Sequence, residues 1–396
     1  MIRYTEQMEN ALFLQWDDLD NCAENYSSLI ASINHEDFFR TFGDGLLLFL
    51  QKKQPNLTAE SAIKYIEKQC IHTGVLKTDI ASANTLKNWF TGGPRPKKGD
   101  DSRMSMFALA FALQLSPADT AELFHKVYLD RAFDYRNEKE IIYYHCLSHN
   151  KSWTDANELI KRISERCHEA DDYTIFTSQI KHEIDTLSDD ESLISYITKH
   201  SHNLEKKSVA AKKIISDLIE KSKNTVEAET QLALMRKMTE AAHKTKASLY
   251  TNLPQLEHFR NTDAQSLNHL YEVITNCSVR GAKGTKTLFK NARLPKEIKT
   301  RFPEALTLSK KDPTYEELRK LIILLASYNY WYCVQEEDET VDIDDYIAEV
   351  NVYLDESGLP LMYYGNPYDW LFLYCALSDS PLDIFRGVLS EVLTSE

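Results

Sequence analysis

Helix-breaking residues are scarce in this chain, which has only 11 glycines and 11 prolines among 396 residues. Because long stretches run without a breaker, the composition favours helices throughout. Long apolar runs are also missing, so no segment is long enough to span a bilayer. The first residues lack the basic-then-apolar order of a signal peptide. The sequence therefore predicts a multi-domain, all-α protein of the cytoplasm, without a membrane partner.

The chain also lacks the motifs on which enzyme chemistry depends. Its seven cysteines are scattered and never form a CxxC pair, which argues against a zinc cluster or a disulfide framework and indicates reduced thiols. No nucleophile elbow, Ser/His/Asp pattern or glycine-rich dinucleotide turn is present, and residues 281–286 lack the spacing of a phosphate loop. We therefore expect a protein that is not an enzyme and needs no cofactor.

One histidine pair has the spacing of metal ligands. His145 and His149 are four residues apart, so they share one face of a predicted helix. Such pairs arise easily by chance, and the sequence does not identify a third ligand. We therefore predict no metal site.

Positive charge is almost absent from the last fifth of the chain. After Lys320 the only basic residue is Arg386, against 15 acidic residues, and this segment accounts for the whole net charge of −14. Residues 1–320 are neutral overall, with 45 basic and 45 acidic side chains. Acidity of the whole chain is therefore no argument against nucleic-acid binding by its neutral part, where local patches decide.

Changes in composition predict four regions. They are a helical domain over 1–150, a charged helical middle over 151–278, a basic linker over 279–313 and an acidic, aromatic-rich helical domain over 314–396. Apolar spacing predicts helices over 58–70, 83–91, 137–148, 153–167, 189–199, 204–221, 225–245, 315–333 and 344–354. Ser-Pro pairs at 116–117 and 380–381 predict the starts of two more.

The predicted linker carries a dense basic run. Residues 279–301 contain eight basic side chains and one acidic one. One interpretation is a second nucleic-acid contact, made by Arg280, Lys283, Lys286, Lys290 and Arg293. The other is a solvated face, which is the commoner role of a charge run.

The most informative segment is 82–98. Ser82 predicts a helix N-cap, and apolar residues at helical spacing predict one buried face. Gly92, Gly93 and Pro94 end the helix. The apolar positions are Leu86, Trp89 and Phe90. The opposite face carries Asn84, Thr85, Lys87 and Asn88, and the basic residues Arg95, Lys97 and Lys98 follow the stop.

This segment resembles the helix-turn-helix of lambda-repressor-like (Xre-type) DNA-binding domains. The positions that fit the family pattern are Ser82, Thr85, Leu86, Trp89, Gly92, Arg95 and Pro96. The apolar run 107–116 fits the helix that follows in the family, so the resemblance covers about 82–127. Two features depart from the pattern: Phe90 stands where the family usually has Glu, and 75–80 matches the preceding helix poorly.

The resemblance implies a sequence-specific regulator that binds double-stranded DNA. It implies that Asn84, Thr85, Lys87 and Asn88 face base edges, and that Arg95, Lys97 and Lys98 contact phosphates. The regions after the motif would sense a partner or mediate self-association, because such modules usually act as dimers. The alternative is a non-enzymatic protein-interaction module, such as an adaptor, a sensor or an immunity-type component, that keeps the helix-turn-helix fold.

Overall fold

The computed structural model describes residues 40–96, 99–165, 177–204, 210–225, 274, 314–336 and 341–394. Every regular element within these ranges is a helix, so the predicted all-α fold is confirmed. None of the helices described there combines the length and the apolarity needed to cross a membrane. The helix predicted over 225–245 and the basic run of 279–301 lie outside the described residues, apart from Thr225.

Contacts divide the chain into two compact units. The first unit lies within 39–211 and 354–366, and the second unit includes the described residues of 212–353 and 367–396. The return of 354–366 to the first unit is supported by His125, whose Nε2 lies 3.0 Å from the Leu361 carbonyl oxygen. The four regions expected from composition remain a prediction.

Ten α-helices are described in the first unit, and two of them, Lys77–Ile80 and Thr177–Asp185, were not predicted from the sequence. The ten are α1 (Phe42–Gln51), α2 (Ala59–Thr73), α3 (Lys77–Ile80), α4 (Ala83–Phe90), α5 (Asp100–Ala112), α6 (Pro117–Glu122), α7 (Glu138–Ser148), α8 (Trp153–Ser164), α9 (Thr177–Asp185) and α10 (Asp190–Leu204). Residues 210–225 form α11. The second unit continues with α12 (Tyr315–Glu336), α13 (Ile343–Glu356), α14 (Pro367–Ala376) and α15 (Pro381–Thr394).

Helix α5 forms the centre of the first unit. Every residue from Met106 to Ala112 is buried, and the helix packs against α2, α3 and α8. The Phe107 ring contacts the rings of Phe124 and Tyr143, with centroids 4.7 and 4.9 Å apart. An aromatic cluster of this kind removes a large apolar area from water, which is the main favourable term in folding.

Local caps set many of the helix ends. Ser116 accepts a hydrogen bond from the Asp119 N–H at 3.0 Å, and Pro117 follows it, which confirms the start predicted from the Ser-Pro pair. Thr58 opens α2, as expected, through a capping box with Ser61. These side chains occupy backbone N–H groups that the first helical turn leaves unpaired.

The helix that begins at Pro117 changes its hydrogen-bonding pattern after Glu122. Leu123–Tyr128 form a π-helical turn, and Leu129 then adopts the left-handed conformation with φ of 58°. The Asp130 N–H donates to the Phe124 carbonyl at 3.0 Å, which closes this wide turn. Apolar spacing does not distinguish a π turn from an α turn over so few residues.

The second unit has a buried helix and a buried ion pair. All ten residues of α14 are buried, which explains why its sequence is apolar on every side. Arg319 of α12 donates to both carboxylate oxygens of Asp369 in α14, at 2.7 and 2.6 Å. Trp331 of α12 belongs to the buried aromatic core of this unit and stacks on Tyr346 and Phe372, with ring centroids 5.8 Å away.

In the first unit, α1 and α4 approach each other closely enough to exclude a side chain. A Cβ atom built on Gly43 would lie 1.8 Å from the Trp89 carbonyl oxygen. Next to this contact, the Phe42 ring meets the Trp89 ring edge-on with centroids 4.9 Å apart. Gly43 is therefore required by the packing, although glycine lowers helix propensity.

Replacing Gly43 with alanine should destabilise the first unit, because the new methyl group overlaps backbone atoms that cannot move aside locally. We expect Gly43→Ala to lower the free energy of unfolding by about 1–3 kcal/mol. Gly45→Ala, in the same helix, is the matched control, since its Cβ would meet Val127 Cγ1 at an ordinary 3.5 Å. The control should be neutral or stabilising by up to about 1 kcal/mol. Urea unfolding followed by circular dichroism measures both, and equal effects would contradict the packing argument.

Candidate nucleic-acid interface

The inner face of α4 is fixed in the core of the first unit. Leu86 and Trp89 are 1% and 4% exposed. Ser82 caps the helix by accepting from the Thr85 N–H at 3.1 Å, as predicted. At the other end Gly92 has φ of 83°, and the Gly93 N–H donates to the Asn88 carbonyl at 2.7 Å. Both predicted helix ends are therefore confirmed, and the direction of the outer face is set by the core.

The outer face of α4 carries a polar ridge formed by Asn84, Lys87 and Asn88. All three side chains are exposed, and successive residues turn by about 100°, so the ridge lies opposite Leu86 and Trp89. Within the described part of the chain, none of the three side-chain polar groups has a hydrogen-bond or ion-pair partner. The sequence from 81 to 98 contains no acidic residue and four basic ones. The ridge is therefore open, polar and free of negative charge along its own segment.

Thr85 is exposed but its hydroxyl is already engaged. Its Oγ1 lies 2.8 Å from Ser82 Oγ, at the helix N-terminus. A hydroxyl can donate and accept at once, so this contact leaves one hydrogen-bonding role open. The side chain thus belongs to the cap as well as to the predicted contact surface.

Arg95 makes hydrogen bonds to backbone carbonyl groups within the first unit. Its guanidinium donates to the Val127 carbonyl at 3.0 Å and to the Arg40 carbonyl at 3.3 Å. These bonds hold the loop after α4 against the end of the π-helical turn. Of the other predicted phosphate contacts, Lys97 and Lys98 lie outside the described residues, as do Arg280, Lys283, Lys286, Lys290 and Arg293.

The residues before α4 form one short turn of helix. Helix α3 has four residues, with Ile80 buried, and Ala81 and Ser82 connect it to α4. Asp79 accepts a hydrogen bond from Trp153 Nε1 at 2.9 Å, and Lys77 pairs with Glu67. This turn is thus held by long-range polar contacts, which explains why no periodic pattern marked it in the sequence.

A cleft of about 440 Å³ opens between α5, α7 and α10, where its lining includes Arg103, Glu140 and Ser201. Arg103 donates to both carboxylate oxygens of Glu140 at 2.8 and 2.7 Å and to Asp130 at 2.7 Å. Burial alone would lower the pKa of Arg103, but the hydrogen bonds and charges of Glu140 and Asp130 raise it further than burial lowers it. The buried guanidinium of Arg103 at this cleft therefore holds the 130–140 loop in place.

Of the two histidines considered as metal ligands, His145 is buried and His149 is exposed. The His145 and His149 ring centroids are 4.2 Å apart, and His145 Nε2 lies 3.3 Å from Asp190 Oδ1 without hydrogen-bond geometry. Burial, followed by the nearby His149 and Lys151, lowers the pKa of His145. Among the residues described by the structure, no group of three His, Cys, Asp or Glu side chains is placed to hold a metal ion.

Comparisons with protein-family models, curated proteins and solved structures give no significant match to this chain. The candidate interface therefore depends on its own geometry and on the resemblance of 82–127.

The Arg103 network should be a large contributor to stability, because removing one partner leaves a buried charge unpaired. We expect Arg103→Met to lower the free energy of unfolding by about 3–5 kcal/mol, and Glu140→Gln added to it to recover part of that loss. Arg162→Met, which breaks an exposed pair with Glu191, is the control and should cost less than about 1 kcal/mol. Urea unfolding measures all of them, and equal losses at Arg103 and Arg162 would refute the argument.

His145 should make the first unit sensitive to mild acid. Since its pKa is lower in the folded than in the unfolded protein, the unfolded chain takes up a proton first as the pH falls below about 6.5. The free energy of unfolding should therefore fall between pH 7.5 and 5.5, and His145→Gln should reduce that fall. His182→Gln, at an exposed position, is the control. An unchanged pH dependence in His145→Gln would contradict the assignment.

Proposed function

We propose that this chain is a DNA-binding regulator that reads double-stranded DNA with the polar ridge of α4. One observation carries the proposal: Asn84, Lys87 and Asn88 are exposed and without partners in the described chain, on a helix whose other face is locked into the core. A surface that is both rigid and unsatisfied is suited to bind a ligand in a fixed geometry.

The dimensions and chemistry of the ridge suit the major groove. Eight residues of helix span about 12 Å, and the groove of B-form DNA is about 12 Å wide. The ridge offers amide donors and acceptors together with an ammonium group, which are the groups that bind base edges and phosphates. The absence of acids from 81–98 removes local repulsion from the phosphate backbone.

The proposal gives one of the basic residues after α4 a different role from the one that the resemblance implies. Because Arg95 is bonded to two carbonyl groups, we leave it to position the loop and assign phosphate contact to Lys97 and Lys98. The basic side chains of 279–301 are kept as a second nucleic-acid contact. No cofactor or catalytic step enters the proposal, and the cytoplasm is kept as the expected compartment.

A single module of this size buries little surface on DNA, so we propose that two copies act together, with the remainder of the chain mediating self-association or sensing a partner.

The alternative function, a protein-interaction module, is favoured by a different observation. Ile71 and Leu76, at the end of α2 and just after it, are 85% and 63% exposed. If they bind a protein partner, Ile71→Ser with Leu76→Ser should abolish that complex, whereas Lys87→Glu should leave it intact.

Binding of the purified full chain to a random pool of 30-base-pair duplexes tests the main proposal. We expect measurable binding at 50 mM salt that weakens steeply as salt is raised, because phosphate contacts release counterions. Lys87→Glu should weaken binding at least about tenfold. Lys161→Glu, at an exposed position of α8, is the matched charge reversal and should change affinity much less. Folded protein that binds no duplex at 50 mM salt would overturn the proposal.

A further inference from the structure

The two asparagines of the ridge form a pair with a fixed separation. Asn84 and Asn88 are one helical turn apart, so their side chains point within about 40° of each other and are separated by about 6 Å along the axis. Both side chains are exposed, and neither amide group has a side-chain hydrogen bond to another described residue. The core fixes the direction in which both point.

Neither asparagine is explained by the stability of α4. Asparagine is a poor residue for the interior of a helix, because its amide competes for backbone hydrogen bonds. Asn88 and Asn84 contribute no side-chain capping bond to α4, since Ser82 provides the N-terminal cap and Gly92 and Gly93 the C-terminal stop. Two residues of low helix propensity on the exposed side of an eight-residue helix therefore add nothing to its local stability, and their amide groups remain available to a ligand.

The amide group has a particular match among base edges. It offers one acceptor and one donor side by side, which fits adenine, whose major-groove edge presents N7 as acceptor and the N6 amino group as donor. Guanine presents two acceptors there and is matched by Arg or Lys instead. Lys87, which precedes Asn88 and lies to one side of both amides on the ridge, has only donors to offer.

We propose that Asn84 and Asn88 are specificity-determining residues that each select an adenine in the major groove. This inference depends on the proposed function. The 6 Å rise between them corresponds to about two base-pair steps of 3.4 Å, so the two adenines lie about two steps apart, on the same strand or on opposite strands. Lys87 contributes affinity and either a guanine contact or a phosphate contact.

Selection of bound duplexes from a random library tests the inference directly. Wild-type protein should enrich sites with A·T pairs at two positions about two steps apart. Asn84→Ala should lose the preference at one of these positions, and Asn88→Ala at the other. Asn157→Ala, at an exposed asparagine of α8, is the matched control and should select the wild-type site.

Base analogues test the assigned contact atom by atom. In the selected site, 7-deazaadenine removes the N7 acceptor but keeps Watson–Crick pairing. We expect it to weaken wild-type binding about 5- to 100-fold at each position, and to have no further effect on the variant that lacks the corresponding asparagine. Neither alanine substitution should lower thermal stability, which separates reading of bases from a structural role.

The outcomes distinguish failure of the inference from failure of the proposed function. Folded wild-type protein that binds no duplex at 50 mM salt overturns both. Binding without any base preference, or with a preference that both alanine variants retain, overturns the inference while DNA binding stands. Enrichment of G·C pairs at the two positions, or insensitivity to 7-deazaadenine, also overturns it.

Discussion

The backbone of α1 passes so close to the carbonyl group of Trp89 that no side chain fits between them at Gly43. This contact, with the Phe42 and Trp89 rings beside it, fixes α4 along its length and in its rotation about its own axis. The rest of the candidate interface follows from that constraint. Since Leu86 and Trp89 point inward, Asn84, Lys87 and Asn88 must point outward. A recognition surface of eight residues is useful only when such a scaffold holds it still.

Cations in the first unit divide into those that serve the fold and those left for solvent. Arg103 is bonded to Glu140 and Asp130, and its loss would leave the buried Glu140 carboxylate without its cationic partner. Arg95 holds a loop through two backbone carbonyl groups. Lys87 has neither kind of contact within the described chain. The distinction matters for function because a buried, paired guanidinium contributes little to the binding of a phosphate. An exposed ammonium group can instead neutralise a phosphate and so displace counterions from DNA.

Local sequence predicted helices such as α2, α4 and α7, whereas details that depend on long-range contacts could not be predicted from it. Ser82, Gly92 and the apolar positions of α4 located that helix to within one residue, because caps and amphipathic spacing act within a few residues of the chain. The partners of Arg95 lie 32 and 55 residues away, so no local pattern could show that its guanidinium is already bonded to two backbone carbonyl groups. The π-helical turn and α3 were missed for the same reason, since packing of distant segments determines them. The sequence predicted which residues form the exposed ridge. Only the fold shows that their side chains have no partner within the described chain.

The acidity of the chain has to be weighed against the reach of electrostatic forces. All of the net charge of −14 comes from residues after Lys320. At physiological ionic strength, exposed charges are screened beyond about 8 Å, whereas at 0.01 M salt they act over about 30 Å. Under the proposed function, the acid-free segment 81–98 attracts phosphates at short range even though the chain as a whole is negatively charged. Repulsion by the acidic segment would be strongest at very low salt, where it opposes the counterion effect that otherwise tightens binding. The dependence of affinity on salt thus separates the local attraction of the ridge from the charge of the whole protein.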